Sequence, residues 1–472
     1  MIGRKEEKRK LCEAYNSKYS EFVVIYGRRR VGKTFLVRET FDYKFTFQHT
    51  GHSKGNMQEQ LLYFKESLED AGYEDCPLLK TWHEAFRHLQ KFLESRSDRR
   101  KVVFIDELPF MATHKSGCVA ALEHFWNGWA TARKDILLVI CGSAASWLLK
   151  RLIGDKGGLH NRVTRKIHLS PFTLRECEQM AAEMRLGYGR KQIAECYMAI
   201  GGIPYYWHFL QKGLSVPQNM DQLFFAEDAG LKTEYDELYR SLFQSPEPYM
   251  RIVEALGRDG GALTRDEVAH KSGIHTSGTF TRYLDDLVKC GFVTRYRHFG
   301  INVKGAVYRL TDNYTLFYFQ FVAKNMDGDP CFWSDSLESP FRRTWMGLAF
   351  ERLCLRHIDQ IKAALGILGV RTSVSSWFHR ADETYPRGAQ IDLLIDRNDN
   401  ILNICEAKFC RGTFVIDKRY SEALENKRQV LEAVTKTRKA IHLTVITTEG
   451  VAHNLYWNEV QSEVTLNDLF AF

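Results

Sequence analysis

No CxxC pair occurs among the eleven cysteines, nor any even-numbered short-range framework of the kind that staples a small secreted domain. Cys405 and Cys410 flank a strand end without a second pair to complete a zinc site. The thiols are therefore expected to be reduced and mostly buried, which points to a cytoplasmic protein. The opening residues, Met1-Ile2-Gly3-Arg4-Lys5-Glu6-Glu7, lack the apolar core of a signal peptide. No stretch approaches the ~20 apolar residues that span a bilayer, so no membrane partner is expected.

What is present is a soluble, globular composition, 44% hydrophobic and 26% charged. At 472 residues the chain exceeds one ordinary core, so two or three domains are expected. A formal net charge of +8 fits an anionic partner such as nucleic acid, although many proteins without one are as basic.

Near the start stands Gly27-Arg28-Arg29-Arg30-Val31-Gly32-Lys33-Thr34, a complete P-loop pattern. The apolar run Phe22-Val23-Val24-Ile25 before it suits a buried parallel strand, and Thr34 to Thr40 has helical character. In that context backbone N–H groups and a helix N-terminus surround phosphates. Lys33 is expected to reach the β- and γ-phosphates of ATP, and Thr34 to ligate Mg²⁺. A second strand, Val102-Val103-Phe104-Ile105, ends in Asp106-Glu107, at the end of a sheet where ligands bind. Asp106 would hold Mg²⁺ and Glu107 would orient or deprotonate the attacking water. A third strand, Ile136 to Cys141, ends in Gly142-Ser143. Ser143 can contact the γ-phosphate or the water, or cap the segment starting near Ala144.

These residues resemble the archaeal-type ATPase family, related to the AAA+ and STAND ATPases, over about the first half of the chain. Ile2 to Glu7 looks like that family's opening box near the nucleotide base. Leu159-His160-Asn161-Arg162-Val163-Thr164-Arg165, followed by Ser170-Pro171-Phe172, matches the segment that bears an arginine after the sensor strand. Arg162 is preferred to Arg165 for that role, and it would act within its own subunit or across a homo-oligomer. Gly201-Gly202-Ile203-Pro204-Tyr205 resembles the turn of the helical lid. No Asn-Lys-x-Asp guanine signature appears, which favours ATP over GTP.

Ser245-Pro246-Glu247-Pro248 breaks the chain. Three helical patterns follow, Met250 to Leu256, Thr264 to Ser272 and Thr276 to Cys290, then a ribbon of Phe292 to Phe299 and Ala306 to Leu310. This order resembles a winged helix-turn-helix with Arg282, Lys289, Arg295, Arg297 and Lys304 as basic edges. Such a module either contacts DNA or packs as a structural domain. The aromatic stretch Tyr308 to Val322 is read as a packed helix joining two domains.

In the last third, Phe341 to Ile361 reads as one helix with Glu351 beside its apolar stripe. Gln390 to Ile395 and Ile401 to Lys408 read as a hairpin around Arg397-Asn398-Asp399-Asn400. Thirteen residues separate Asp392 from Glu406-Ala407-Lys408, whose Glu and Lys share one strand face. The pattern resembles a PD-(D/E)XK nuclease core, with Gln390-Ile391-Asp392 in place of Pro-Asp. That resemblance implies Mg²⁺ or Mn²⁺ at Asp392 and Glu406, with Glu351 nearby and Lys408 stabilising charge at phosphorus. Gln429, on a helix from Tyr420 to Val434, would touch DNA or metal.

The expected fold is an α/β P-loop ATPase core (1–172) with a helical lid (173–243), then a winged helix and aromatic linker (244–325). An α/β restriction-endonuclease-like domain (326–472) completes it. The expected function is an ATP-driven switch that binds DNA and cuts it. The alternative is a regulatory or STAND-like ATPase whose last domain only binds a partner or nucleic acid.

Overall fold

The computed structural model describes the whole chain except residues 54, 114, 144, 155–158, 160, 244, 298 and 301–305, and the side chains of Ile153, Asp259 and Arg297. Ala144, His160 and Lys304 thus lie outside the described residues. Two compact units emerge. One is Met1–Pro171 with Glu237–Pro246 and Lys289–Gly291; the other is Phe172–Asp236, Glu247–Val288 and Phe292–Phe472.

The first unit is built on β1 (Glu21–Gly27), β2 (Phe47–Thr50), β3 (Lys101–Asp106), β4 (Ile136–Gly142) and β5 (Arg165–Leu169). They form one sheet in the order β2-β3-β4-β1-β5, and every pairing is parallel. Strands β3 and β4 are buried along their whole length, which explains their unbroken β-branched and aliphatic runs. Strand β4 separates β1 from β3, so Ser143 emerges between the glycine-rich turn and the Asp106-Glu107 pair. The turn needs its glycines. A Cβ on Gly27 would lie 2.3 Å from the Leu169 carbonyl oxygen, and Gly32 holds φ 89° as it caps the helix Lys33–Thr40.

The second unit begins with helices Leu174–Glu183 and Arg190–Ile200. Thr173 and Glu176 form a capping box that starts the first. Gly202 follows, where a Cβ would lie 2.0 Å from the Phe172 carbonyl oxygen. The middle segment has helices Glu247–Asp259, Arg265–Ser272 and Gly278–Lys289, with Thr264 capping the second. Its strands β6 (Leu263–Thr264), β7 (Val293–Arg297) and β8 (Ala306–Leu310) form an antiparallel sheet in the order β6-β8-β7. The element order expected from the sequence is present, with helix ends shifted by a few residues.

Two expectations need correction here. Tyr308 to Val322 is not one helix: Tyr308 to Leu310 complete β8, and the helix Asn313–Gln320 starts only after Asp312 caps it. Tyr314 and Phe317 of that helix are buried against Phe224, the latter at 4.6 Å between ring centroids. Phe341 to Ile361 is likewise split into helices Pro340–Arg356 and Ile358–Ala364 at His357. The His357 ring caps from within: its Nδ1 pairs with the Leu353 carbonyl at 2.9 Å, and its Nε2 accepts the Leu174 N–H at 3.0 Å. A side chain with two such obligations holds the backbone out of helical register.

The last sheet runs β13-β12-β11-β10-β9, from β9 (Thr372–His379), β10 (Ala389–Arg397), β11 (Ile401–Lys408), β12 (Ala440–Thr447) and β13 (Ser462–Thr465). Strands β9 to β11 are antiparallel, and β11 to β13 are parallel. The expected β10–β11 hairpin is present, with Asn400 in the left-handed region at φ 65°. The helix Lys418–Thr435 carries the chain from β11 to β12, as a parallel crossover requires. Among the described residues no helix is long and apolar enough to cross a membrane.

Candidate nucleotide site and C-terminal carboxylate site

The glycine-rich turn closes on its own lysine. Lys33 is buried, and its Nζ donates to the carbonyls of Arg28 at 2.9 Å and Gly27 at 3.2 Å. Burial pushes its pKa down, while Glu107 and Asp106 pull it back up. Thr34 Oγ1 donates to Asp106 Oδ2 at 2.6 Å, so the first helical turn meets the carboxylate at the end of β3. Burial raises the Asp106 pKa, against the hydrogen bond from Thr34. The second Asp106 oxygen accepts the Glu107 N–H at 3.0 Å.

Glu107 sits at φ 49°, a strained conformation for a side chain of this size. Its carboxylate is directed toward the end of β4. There Glu107 Oε2 accepts both the N–H and the Oγ of Ser143, each at 3.0 Å. Thus Lys33, Thr34, Asp106, Glu107 and Ser143 are all placed at the C-terminal end of the first sheet. The opening segment joins them: buried Arg4, at φ 57°, donates to the Val31 carbonyl at 3.2 Å. Arg28 and Val31 are buried in the turn. Arg29 and Arg30 are half-buried, Arg29 donating to the Glu237 carbonyl at 3.4 Å and Arg30 lying 3.8 Å from its carboxylate.

The two candidate arginines before β5 differ. Arg165 pairs with Glu13 at 3.0 Å and lies 3.7 Å from Glu21. Arg162 is exposed on the preceding turn. The pairing gives Arg165 a structural duty and leaves Arg162 available.

At the C-terminal site a β-bulge separates Ile391 from Leu394 in the pairing of β10 with β9. The bulge falls on Asp392 and Leu393 and re-aims the strand there. The β10–β11 pairing runs as far as Leu393 opposite Cys405, so Asp392 and Glu406 stand at the next step. Asp392 accepts from Gln390 Nε2 at 2.9 Å. Glu406 is buried, and it accepts from Lys427 Nζ and, at 3.2 Å, from the Tyr420 hydroxyl. Lys408 Nζ lies 5.0 Å from the centre of the Tyr420 ring, within cation–π range. Glu351 faces Asp392, Arg309, Lys408 and Arg352; burial, then the charge of Asp392, pushes its pKa up to about 7.

The four expected residues therefore come to one region, but not as a three-carboxylate cage. Among the described residues no group of three or more His, Cys, Asp or Glu is gathered to hold a metal. Gln429 is bonded to Glu425 on its own helix and does not reach the others. Lys427, on the same helix, is the residue that reaches Glu406; its distance from Glu406 in the chain left no local signal. Arg309 and Arg352 were also missed. The available signal was a charged residue inside an otherwise buried strand and on the buried stripe of a helix.

Residues 1–209 match the family described as an ATPase domain predominantly from Archaea. With the geometry above, this makes the first part of the chain an archaeal-type P-loop ATPase domain. An uncharacterised protein of Methanocaldococcus jannaschii is 24% identical over 411 residues, covering 84% of each chain. Among solved structures, a Walker-type ATPase of Pyrococcus abyssi is 19% identical, with a TM-score of 0.48, and covers 68% of this chain and 96% of its own. The ORC2 protein of Aeropyrum pernix is 12% identical, with a TM-score of 0.42, and covers 76% and 96%. A STAND protein of Pyrococcus horikoshii is 17% identical, with a TM-score of 0.32, and covers 77% and 55%.

Proposed function

We propose that this protein is an ATP-hydrolysing switch that acts on DNA through a nuclease-like C-terminal domain. The observation that carries the first half is the direct contact of Thr34 with Asp106, beside a Glu107 held by Ser143. Thr34 and Asp106 supply the hard oxygens that Mg²⁺ prefers, so the donor set fits that ion. Held by Thr34 and Asp106, such an ion would supply neutralisation of the phosphate charge. Lys33 exchanges the carbonyls of Gly27 and Arg28 for phosphate oxygens. The backbone of Gly27 to Gly32 lines the phosphate chain with N–H groups. Glu107 orients the attacking water, and Ser143 keeps its carboxylate aimed. Arg162 meets the γ-phosphate of its own subunit, or that of a neighbouring subunit where the chain assembles as a homo-oligomer.

The second half of the proposal is supported by Asp392, Glu406 and Lys408 lying at one end of the β10–β11 pair, with Glu351 of the neighbouring helix facing Asp392 and Lys408. The order of helices and strands between 247 and 310 supports a winged-helix module there. The ion pair of Lys427 with Glu406 favours a second reading, a regulatory or STAND-like signalling ATPase whose last domain binds DNA or a partner without cutting. In this arrangement Glu406 is already neutralised, and cutting requires Lys427 to release it.

Incubating the protein with plasmid DNA, ATP and Mg²⁺ or Mn²⁺, beside Lys408→Ala, decides between them. Cutting that Lys408→Ala loses establishes the nuclease. Duplex binding without cutting establishes the second reading.

A further inference from the structure

Two arginines stand at the C-terminal site that the proposed cutting chemistry does not use. Arg309 lies on β8, in the middle segment. Arg352 follows Glu351 on the helix Pro340–Arg356. They are only 6% and 4% exposed. The Nε of each is shielded from solvent and has no hydrogen-bond partner. Among the described residues the Arg352 side chain forms no hydrogen bond or ion pair at all.

A buried guanidinium is normally paired, because removing it from water is costly and an acceptor must replace the lost hydration. Here the charge that acts most strongly on Arg352 is that of another cation. Arg352 faces Arg309 and Glu351, and its pKa falls to about 9, first by burial and then by the charge of Arg309. Glu351 faces Asp392, Arg309, Lys408 and Arg352. In that cluster three cations (Arg309, Arg352, Lys408) meet two carboxylates (Glu351, Asp392), which leaves one positive charge over.

The chain takes trouble to bring Arg309 there. The Phe299 N–H donates to the Ser376 carbonyl of β9 at 2.9 Å, which fastens the β7–β8 ribbon to the edge of the last sheet. Tyr296 of that ribbon lies close enough to Arg309 and Asp392 to feel both charges. Asp392 and Lys408 remain half-exposed, while the two arginines are buried.

We propose that Arg309 and Arg352 form a receptor for a phosphate oxyanion, occupied by a phosphodiester of nucleic acid laid over Asp392 and Lys408. The proposal rests on the C-terminal domain being a nucleic-acid site. Two guanidinium forks approaching from different elements match an anion with several oxygen acceptors out of one plane, and each fork can make paired bonds. The middle segment then completes the C-terminal site instead of serving as a separate reader. A free phosphate compound has the same chemistry, and the test separates the two.

The test uses the full chain carrying Lys33→Ala, so that the P-loop lysine contributes nothing, with EDTA present. Anisotropy of a short labelled DNA duplex is measured for this parent and with Arg309→Gln, Arg352→Gln or Arg352→Lys added. Loss of a buried charge-assisted contact should weaken binding roughly tenfold or more for each Gln variant. Each should also lower the slope of log affinity against log salt by about one. Arg352→Lys should recover only part of the loss, since it keeps the charge without the fork. Thermal unfolding in phosphate-free buffer supplies the second readout. Arg352→Gln should be as stable as the parent or more so, because it removes an uncompensated buried charge. Unchanged duplex affinity with a lowered Tm would show the arginines to be structural and overturn the proposal. Stabilisation of the parent by inorganic phosphate, without duplex binding, would assign the receptor to a free phosphate compound and overturn its nucleic-acid part. None of these readouts needs cutting. Arginine-dependent binding by a chain that never cuts would sink the nuclease reading and leave the receptor standing.

Discussion

Lowering the pH should loosen the second unit at one identifiable point, His357. Its ring is 1% exposed and joins two helices as a neutral imidazole. Nδ1–H donates to the Leu353 carbonyl, which leaves Nε2 as the acceptor for the Leu174 N–H. A proton on Nε2 would set donor against donor in a buried site. Burial accordingly depresses the His357 pKa from its ordinary 6.5 to about 4. At about 1.4 kcal/mol per tenfold, that fall corresponds to roughly 3 kcal/mol. The sign follows from proton counting. Between 4 and 6.5 the unfolded chain binds the proton and the folded chain does not, so stability rises with pH. The contribution is complete above pH 6.5 and is lost as the pH falls toward 4. Urea unfolding of wild type and His357→Gln across that range measures it, since glutamine does not titrate. Wild type should lose about 3 kcal/mol more than the variant. Hydrogen exchange, corrected for intrinsic rate, should show the Leu174 amide losing protection over the same range. Equal acid sensitivity in the two proteins, or a Leu174 amide that stays protected at pH 4, would refute the reasoning.

Other outcomes can be checked beside it. Glu107→Gln should keep ATP binding and lower turnover about a hundredfold or more, because the amide can still bond Ser143 but cannot take a proton. Gly202→Ala should cost about 3 kcal/mol in the unfolding midpoint of the second unit, since its Cβ would press on the Phe172 backbone, which has no flexible end to yield. Arg162→Ala should cut ATP turnover with the Tm unchanged, whereas Arg165→Ala should lower the Tm by releasing Glu13 and Glu21. Equal Tm losses in both would remove the distinction drawn between them.

Strands β1, β3 and β4 were legible because parallel strands buried on both faces read as unbroken apolar runs. The hairpin of β10 and β11 was legible for a related reason, two apolar runs around Arg397-Asn398-Asp399-Asn400. Strands β2, β9, β12 and β13 carried no such signal; Phe47-Gln48-His49-Thr50, at a sheet edge, alternates buried and exposed residues over one turn's length. The break at His357 was hidden, since Ile358 and Ile361 continue the apolar spacing and the cause lies at Leu174, far away in the chain. The nucleotide-site residues were readable as local motifs. The contact that makes a unit of Glu107 and Ser143 was not, because it depends on β4 lying beside β3. The same holds for Glu406: its motif named the residue, but only the fold supplies Lys427 and Tyr420. Arg309 carried little local signal, because it sits in an aromatic stretch that reads as packing.

ATP turnover by the purified protein, with Lys33→Ala and Thr34→Val alongside, tests the central claim most directly. Metal-dependent phosphate release that each substitution abolishes, with both variants folded and unchanged in Tm, is the expected result. Turnover that survives the loss of Lys33 and of the Thr34 hydroxyl would contradict the placement of the nucleotide between the glycine-rich turn and Asp106.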